Sequence, residues 1–349
     1  MLSNCTKGVT TCPTQGRSNP YIAAKPESRG VRQQRHVRMD ATITSAADTQ
    51  KLYAELDTAC INLRRAPPSM RLTFSGPVKE AYEQLAAAGV ARKWGCGVSE
   101  ALRRRNVMLG ELRQLGIKNP DKIAVPSVRN DAAFLFSVVG STSLLAVVAG
   151  AVLPGDWGFF VPYLLGGVNL VVLAVGSTAP GLLAVAIDAF SQVFPDYKDR
   201  VLRHEAAHFL VGYLLGVPVG GYSVQLGREH TEFAEAKLQQ RIIERTLADE
   251  EIDSLALVAV AGVAAEAREY EEVMGQTADL TDLQRLLLRS KTRLSSAAQQ
   301  NLTRWAVWAA AGLLRTHGSE HAALVQAMRS GASVAECVRA IEETRGEVA

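Results

Sequence analysis

The sequence predicts a mainly α-helical protein in which a two-helix transmembrane hairpin precedes an α-helical domain with one short β element. Two long uncharged runs lie back to back between residues 132 and 187. Behind them, residues 195–216 form a helical pattern with two histidines four positions apart. Residues 46–118 repeat apolar side chains at helical spacing. At 349 residues the chain has room for more than one domain, and 48% hydrophobic content with a mean hydropathy of +0.05 is high for a wholly water-exposed protein.

The first forty residues carry Lys7, Arg17, Lys25, Arg29, Arg32, Arg35 and Arg38 against Glu27 and Asp40, with many Ser, Thr and Pro and no apolar core segment. This composition predicts an organelle transit peptide over 1–40, cleaved near Met39, rather than a secretory signal. A disordered basic tail is the plainer alternative. The net charge of +3 gives no global argument for nucleic-acid binding. Cys5, Cys12, Cys60, Cys96 and Cys337 are scattered without a CxxC pair, so they read as reduced thiols rather than as a disulfide framework or a thiolate zinc site.

A helical N-terminal region spans 41–128. One helix is expected over Gln50–Arg65, with Leu52, Leu56, Cys60, Ile61 and Leu63 apolar, ending at Pro67-Pro68. A second is expected over Pro77–Ala91. A third starts at Ser99 as N-cap, carries Leu102, Met108, Leu109, Leu112 and Leu115, and ends at Gly116. The Arg103-Arg104-Arg105 run reads as a solvated helix face, with a phosphate or lipid contact as the alternative.

The hairpin occupies 129–190. Ala132–Leu153 is uncharged and long enough to cross a bilayer, Pro154-Gly155-Asp156-Trp157-Gly158 forms a turn, and a second helix runs over 159–179. Pro180 predicts a bend and a continuation to about residue 190. The competing reading is a helical hairpin buried in a globular core. Lys122 and Arg129 precede the pair, Lys198, Arg200 and Arg203 follow it, and the turn holds only Asp156. Basic outer flanks put both ends of the hairpin on the same side of the membrane.

The chemistry lies in the domain over 195–349. Pro195 and Asp196 open a helix that runs to Gly216 and contains His204-Glu205-Ala206-Ala207-His208. Histidines at i and i+4 share a helix face and reach one metal ion. Glu205, about 100° round the helix from His204, can act on a water instead of binding the metal. This HExxH pattern is how a zinc-dependent, zincin-type peptidase presents two ligands and a base. A third ligand must come from downstream, where His230, Glu266, Asp279, Asp282 and the His317/His321 pair are available. The pair reads as a solvated helix end, because Gly318 stands where a base would be needed. Glu266 reads equally as a group orienting a ligand imidazole or as a surface carboxylate. Tyr222–Leu226, after Gly220-Gly221, predicts a short strand that either offers an edge to an extended substrate or lies in a buried hairpin.

These strings have a family likeness. Arg203-His204-Glu205-Ala206-Ala207-His208-Phe209-Leu210-Val211-Gly212 resembles the active-site helix of the FtsH-type zinc peptidases. Ala261-Gly262-Val263-Ala264-Ala265-Glu266 is similar to their small-residue helix, and Gly275-Gln276-Thr277-Ala278-Asp279-Leu280 to the segment supplying their third ligand, an aspartate. The stretch from Pro126 to Cys337 more closely resembles a plant and algal chloroplast group of FtsH-like peptidases that have a two-helix anchor and no ATPase module. It includes Leu153-Pro154-Gly155-Asp156-Trp157-Gly158-Phe159-Phe160-Val161-Pro162-Tyr163. Ala207 stands where that family usually has Gly, and no G-x-x-x-x-G-K-[ST] phosphate loop occurs.

The resemblance implies zinc held by His204, His208 and Asp279, with Glu205 as the catalytic base and Asp279 favoured over Asp282. It implies a membrane-anchored metalloendopeptidase that works without its own ATPase on protein or peptide substrates. The expected location is a chloroplast membrane, thylakoid or inner envelope, with the peptidase domain facing the stroma. The expected partners are lipid, further copies of the chain or FtsH-type complexes, and no nucleic acid. The alternative is a non-catalytic FtsH-like scaffold or assembly factor.

Overall fold

The computed structural model describes residues 45–97, 104–125, 129–225, 230–234, 244, 247–288, 290 and 294–344. The expected transit segment, Ser99 and Arg103 lie outside them. The described chain is mainly helical with a single two-stranded sheet.

α1 (Ala46–Arg65) begins at Ser45, whose hydroxyl accepts the Asp48 N–H, and ends at Ala66 because the following Pro67 disfavours a further helical residue. α2 covers Arg71–Ala87 and not 77–91: it starts six residues before Pro77 and stops four residues short of Ala91. Burial of Ser75 and Val78 and packing of Phe74 on the core offset the backbone bond that Pro77 lacks. The helix expected from Ser99 shrinks to α3 (Leu109–Gln114) among the described residues. Asn301 accounts for this, since its side chain accepts from Val107 N–H at 3.3 Å and donates to the Arg105 carbonyl at 3.2 Å, holding 105–107 out of a helix. Where it is described, the arginine run is solvent-exposed as expected but does not lie on a helix. Arg104 pairs with Asp253, and Arg105 pairs with Glu111 while stacking over Trp308 at 4.4 Å.

α4 (Arg129–Val152) and α5 (Trp157–Thr178) are both long and apolar enough to cross a membrane, and none of the most apolar stretch of either is buried. A hairpin inside a globular core would have its side chains packed by protein. Here Phe136 and Phe159 are each 80% exposed, a cost in water that a lipid environment removes. Within the pair, the Thr142 hydroxyl reaches Asn169 Oδ1 at 3.1 Å, a polar link of the kind that joins helices in hydrocarbon. α6 (Pro180–Ser191) is the bent continuation, breaking from α5 at Ala179.

The base of the hairpin is tied to the next helix, α7 (Tyr197–Leu214). Asn130 donates to the Ser191 hydroxyl at 2.7 Å, and Arg129 pairs with Asp196 at 2.9 Å, as does Arg200 at 2.8 Å. α7 is buried on every side from His204 to Leu214 and is the central element of the fold. Around it lie α8 (Asp249–Ala259), α9 (Ala261–Glu269), α10 (Gln276–Leu288), α11 (Ser296–Thr316), α12 (Gly318–Arg329) and α13 (Val334–Glu343). One hydrophobic core joins them to the N-terminal helices, with Leu56, Tyr82, Phe209, Tyr213, Trp305 and Ile341 all buried in it.

β1 (Val219–Ser223) pairs antiparallel with β2 (His230–Phe233), with a bulge between Val219 and Gly221. A Cβ on Gly220 would lie 2.5 Å from the end of the Leu63 side chain and 3.0 Å from Ala234, so any larger residue in the bulge would have to displace core neighbours. The Val219 carbonyl accepts the Tyr82 hydroxyl at 3.0 Å. β1 is thus the inner strand of a packed hairpin, and both strands pack against the HExxH helix.

Candidate metal centre and its cleft

α7 brings His204 and His208 to one face, as their spacing requires, and α10 brings Asp279 opposite them. The three donor atoms form a nearly equilateral triangle. Nε2 of His204 lies 3.1 Å from Nε2 of His208, and Asp279 Oδ2 lies 3.4 Å and 3.3 Å from the same two nitrogens. Ligand bonds of about 2.0–2.1 Å in tetrahedral geometry separate donors by roughly 3.3–3.4 Å, so one ion can bind all three at once. The group can hold a metal ion.

The hydrogen bonds behind the rings fix what the triangle offers. His204 Nδ1 lies 2.7 Å from Glu266 Oε1, and His208 Nδ1 lies 2.7 Å from the Val258 carbonyl. Neither oxygen can donate, so each ring puts its N–H at Nδ1 and turns the Nε2 lone pair toward the other. Asp279 Oδ2 is buried and receives no hydrogen bond. Two lone pairs and a carboxylate oxygen facing one another at contact distance are mutually repulsive unless a bound cation, or a proton on one of the rings, lies among them. This orphaned oxygen and the donor set fit a divalent metal.

Electrostatics point the same way. Burial opposes charge on all three side chains. Even so, the Asp279 carboxylate raises both imidazoles, and Glu266 raises His204 further. The imidazoles in turn hold the Asp279 carboxyl well below the usual carboxylate range. The site is built to gather positive charge.

Glu266 is buried, not a surface carboxylate. Besides His204 it accepts the backbone N–H groups of Met274 at 3.0 Å and Gly275 at 3.3 Å, and Arg200 lies 3.9 Å away. Glycines leave room for the ring. A Cβ on Gly275 would lie 2.5 Å from His204 Cε1, and one on Gly262 would strike the same imidazole. Glu205, one residue past the first histidine, is 5% exposed and accepts the Thr231 hydroxyl from β2 at 2.8 Å.

The triangle lies in a cleft of about 1010 Å³ that runs from His204, Glu205 and Asp279 to Asn130, Asp131, Ile187 and Ser191 at the base of the hairpin. Its volume is at the upper limit of small-molecule pockets.

Among the candidate third ligands that are described, only Asp279 faces the Nε2 atoms of both imidazoles, while Glu266 stands behind His204 at Nδ1. Asp282 points outward and pairs with Arg285 at 2.8 Å, and His230 lines the cleft without joining the cluster. His317 and His321 do not form a solvated helix end. His317 is buried with its Nδ1 3.5 Å from Glu320, and His321 Nε2–H donates to the Arg203 carbonyl at 2.9 Å. Three participants were missed from sequence: Thr231, the Val258 carbonyl and Arg200. A backbone acceptor leaves no side-chain signal, and Thr231 is close to Glu205 only through the packing of β2. No protein-family model, curated protein or solved structure matches the chain.

Proposed function

We propose that this chain is a membrane-anchored zinc metalloendopeptidase that hydrolyses peptide bonds of membrane or stromal proteins without an ATPase of its own. The observation that carries the reading is the triangle of His204, His208 and Asp279 beside the Glu205 carboxylate on the floor of a large cleft. Two imidazoles and one carboxylate with an open fourth position is the donor set of catalytic rather than structural zinc. When bound there, zinc supplies Lewis acidity, lowering the pKa of water towards about 7 and polarising a carbonyl.

His204, His208 and Asp279 would hold the ion. Glu205 would take one proton from water as its oxygen attacks the peptide carbonyl carbon, then hand that proton to the amine as the C–N bond breaks. Thr231 orients that carboxylate, and Glu266 and the Val258 carbonyl hold the ligand rings. The basic, Ser- and Thr-rich N-terminal segment supports an organelle, the family resemblance narrows this to a chloroplast membrane, thylakoid or inner envelope, and the flanking charges support a stromal peptidase domain.

The test uses the purified full-length chain, its zinc content and cleavage of unstructured casein. Glu205→Gln keeps one zinc per chain and cuts nothing, whereas the wild type cuts. A wild type that holds zinc yet cuts neither casein nor an unstructured segment attached to a membrane span sinks the peptidase reading and favours the scaffold.

A further inference from the structure

We infer that the cleft takes its substrate directly from the bilayer, and that the bond cut lies in the juxtamembrane segment of a membrane-spanning polypeptide on the side of the peptidase domain. This rests on the peptidase reading above. The cleft does not end at the metal ligands. It continues to Asn130 and Asp131 at the start of α4 and to Ile187 and Ser191 at the end of α6, so its lining reaches the end of the hairpin from which the two apolar helices rise. That relation is held in place by the Asn130–Ser191 hydrogen bond and by the Arg129–Asp196–Arg200 ion pairs, which tie the membrane helices to the start of α7.

Distance limits what can be cut. From Tyr197, which lines the cleft, seven helical residues lead to His204, a rise of about 10 Å. Allowing as much again for the turn after Ser191, the reacting bond lies roughly 10–20 Å from the end of the hairpin. An extended chain covers that in about three to six residues. A polypeptide emerging beside α4 and α6 therefore reaches the site without being unfolded, and needs no motor.

Charge at that end of the cleft fits such an occupant. Asp131 is exposed there and has no ion-pair partner among the described residues. Membrane spans carry an excess of Lys and Arg on their cis flank, so the segment reaching that end is cationic. At about 1010 Å³ the cleft suits an extended peptide better than a small ligand.

The test reconstitutes the full-length chain with zinc in liposomes together with a reporter. The reporter has an apolar span of about 20 residues with basic residues at its cis end. An unstructured linker of about 40 residues follows, long enough to span well over 100 Å, and then a folded domain. Cut positions are read by mass spectrometry, with casein as a separate substrate. The expected result is cutting within about ten residues of the span, at a per-residue frequency about tenfold above the rest of the linker. Cuts spread evenly along the linker, or gathered near the folded domain, overturn the inference, as does an intact reporter while casein is cut. If neither casein nor reporter is cut, the peptidase reading fails and this inference falls with it.

Discussion

Glu266 holds His204 from behind, its Oε1 2.7 Å from the ring Nδ1, while the same carboxylate accepts backbone N–H groups from Met274 and Gly275. One side chain thus fixes both the orientation of the His204 ring and the path of the segment leading into α10, which carries Asp279. Glu266→Ala should weaken zinc binding by about 10–100-fold, and Glu266→Gln, which keeps an acceptor oxygen, by less. Competition with a chromogenic chelator measures both. Equal affinity for Glu266→Ala and wild type would show that the contact does not support the metal.

Gly262 and Gly275 press on the same imidazole, and a Cβ at either position meets its ring. Gly262→Ala and Gly275→Ala should each cost about 1–3 kcal/mol through overpacking. They should also displace the His204 ring and lower zinc stoichiometry, while helix content stays that of wild type. Circular dichroism and metal analysis on the same samples separate loss of the site from loss of the fold.

Thr231 is expected to act through Glu205. Removing its hydroxyl in Thr231→Val leaves the three ligand atoms untouched and frees the carboxylate to rotate, so kcat should fall about tenfold or more with zinc content unchanged. Thr231→Ser restores the donor and should restore most of kcat. A Ser variant as poor as Val would mean that the methyl group, by packing, is what matters.

His321 gives the fold an acid sensitivity separate from the metal ligands. Burial pushes its pKa down to about 4 against an ordinary value near 6.5, more than its hydrogen bond to the Arg203 carbonyl raises it. The folded state therefore holds this ring neutral, and the unfolded chain takes up a proton first. The resulting stability is complete above pH 6.5 and is lost as pH falls towards about 4. It amounts to at most about 3 kcal/mol at 1.36 kcal/mol per pKa unit. Thermal unfolding in detergent should show a smaller drop between pH 6.5 and 4 for His321→Gln than for wild type. Parallel curves would rule His321 out as the source.

The cysteines offer a check at the alkaline end. Burial raises the thiols of Cys60 and Cys337 to about 12, whereas Cys96 is only partly buried. At pH 8 a thiol reagent should label Cys96 in the native chain and reach Cys60 and Cys337 only after unfolding. Fast labelling of all three would show that the core around α1 and α13 is open.

Much of this molecule can be read from local pattern. Apolar periodicity marks α1, the uncharged runs mark α4 and α5, and the spacing of His204 and His208 puts two imidazoles on one helix face with Glu205 beside them, because each depends only on residues within a few turns. Pro77 and Asn301 show where that reasoning ends. A core contact carries a helix through a proline, and one distant amide keeps an apparently helical segment out of a helix.

Which carboxylate faces the imidazole pair was beyond local pattern. Asp279 and Asp282 are three positions apart, about 60° round the helix, and that rotation turns one into the core and leaves the other in solvent beside Arg285. Glu266, Val258 and Thr231 lie 62, 50 and 26 positions from their partners on α7. The sequence alone determined which helices form and which two imidazoles face the same way. Tertiary packing decided what stands opposite and behind them, because a metal site is closed by donors whose separation in space is unrelated to their separation along the chain.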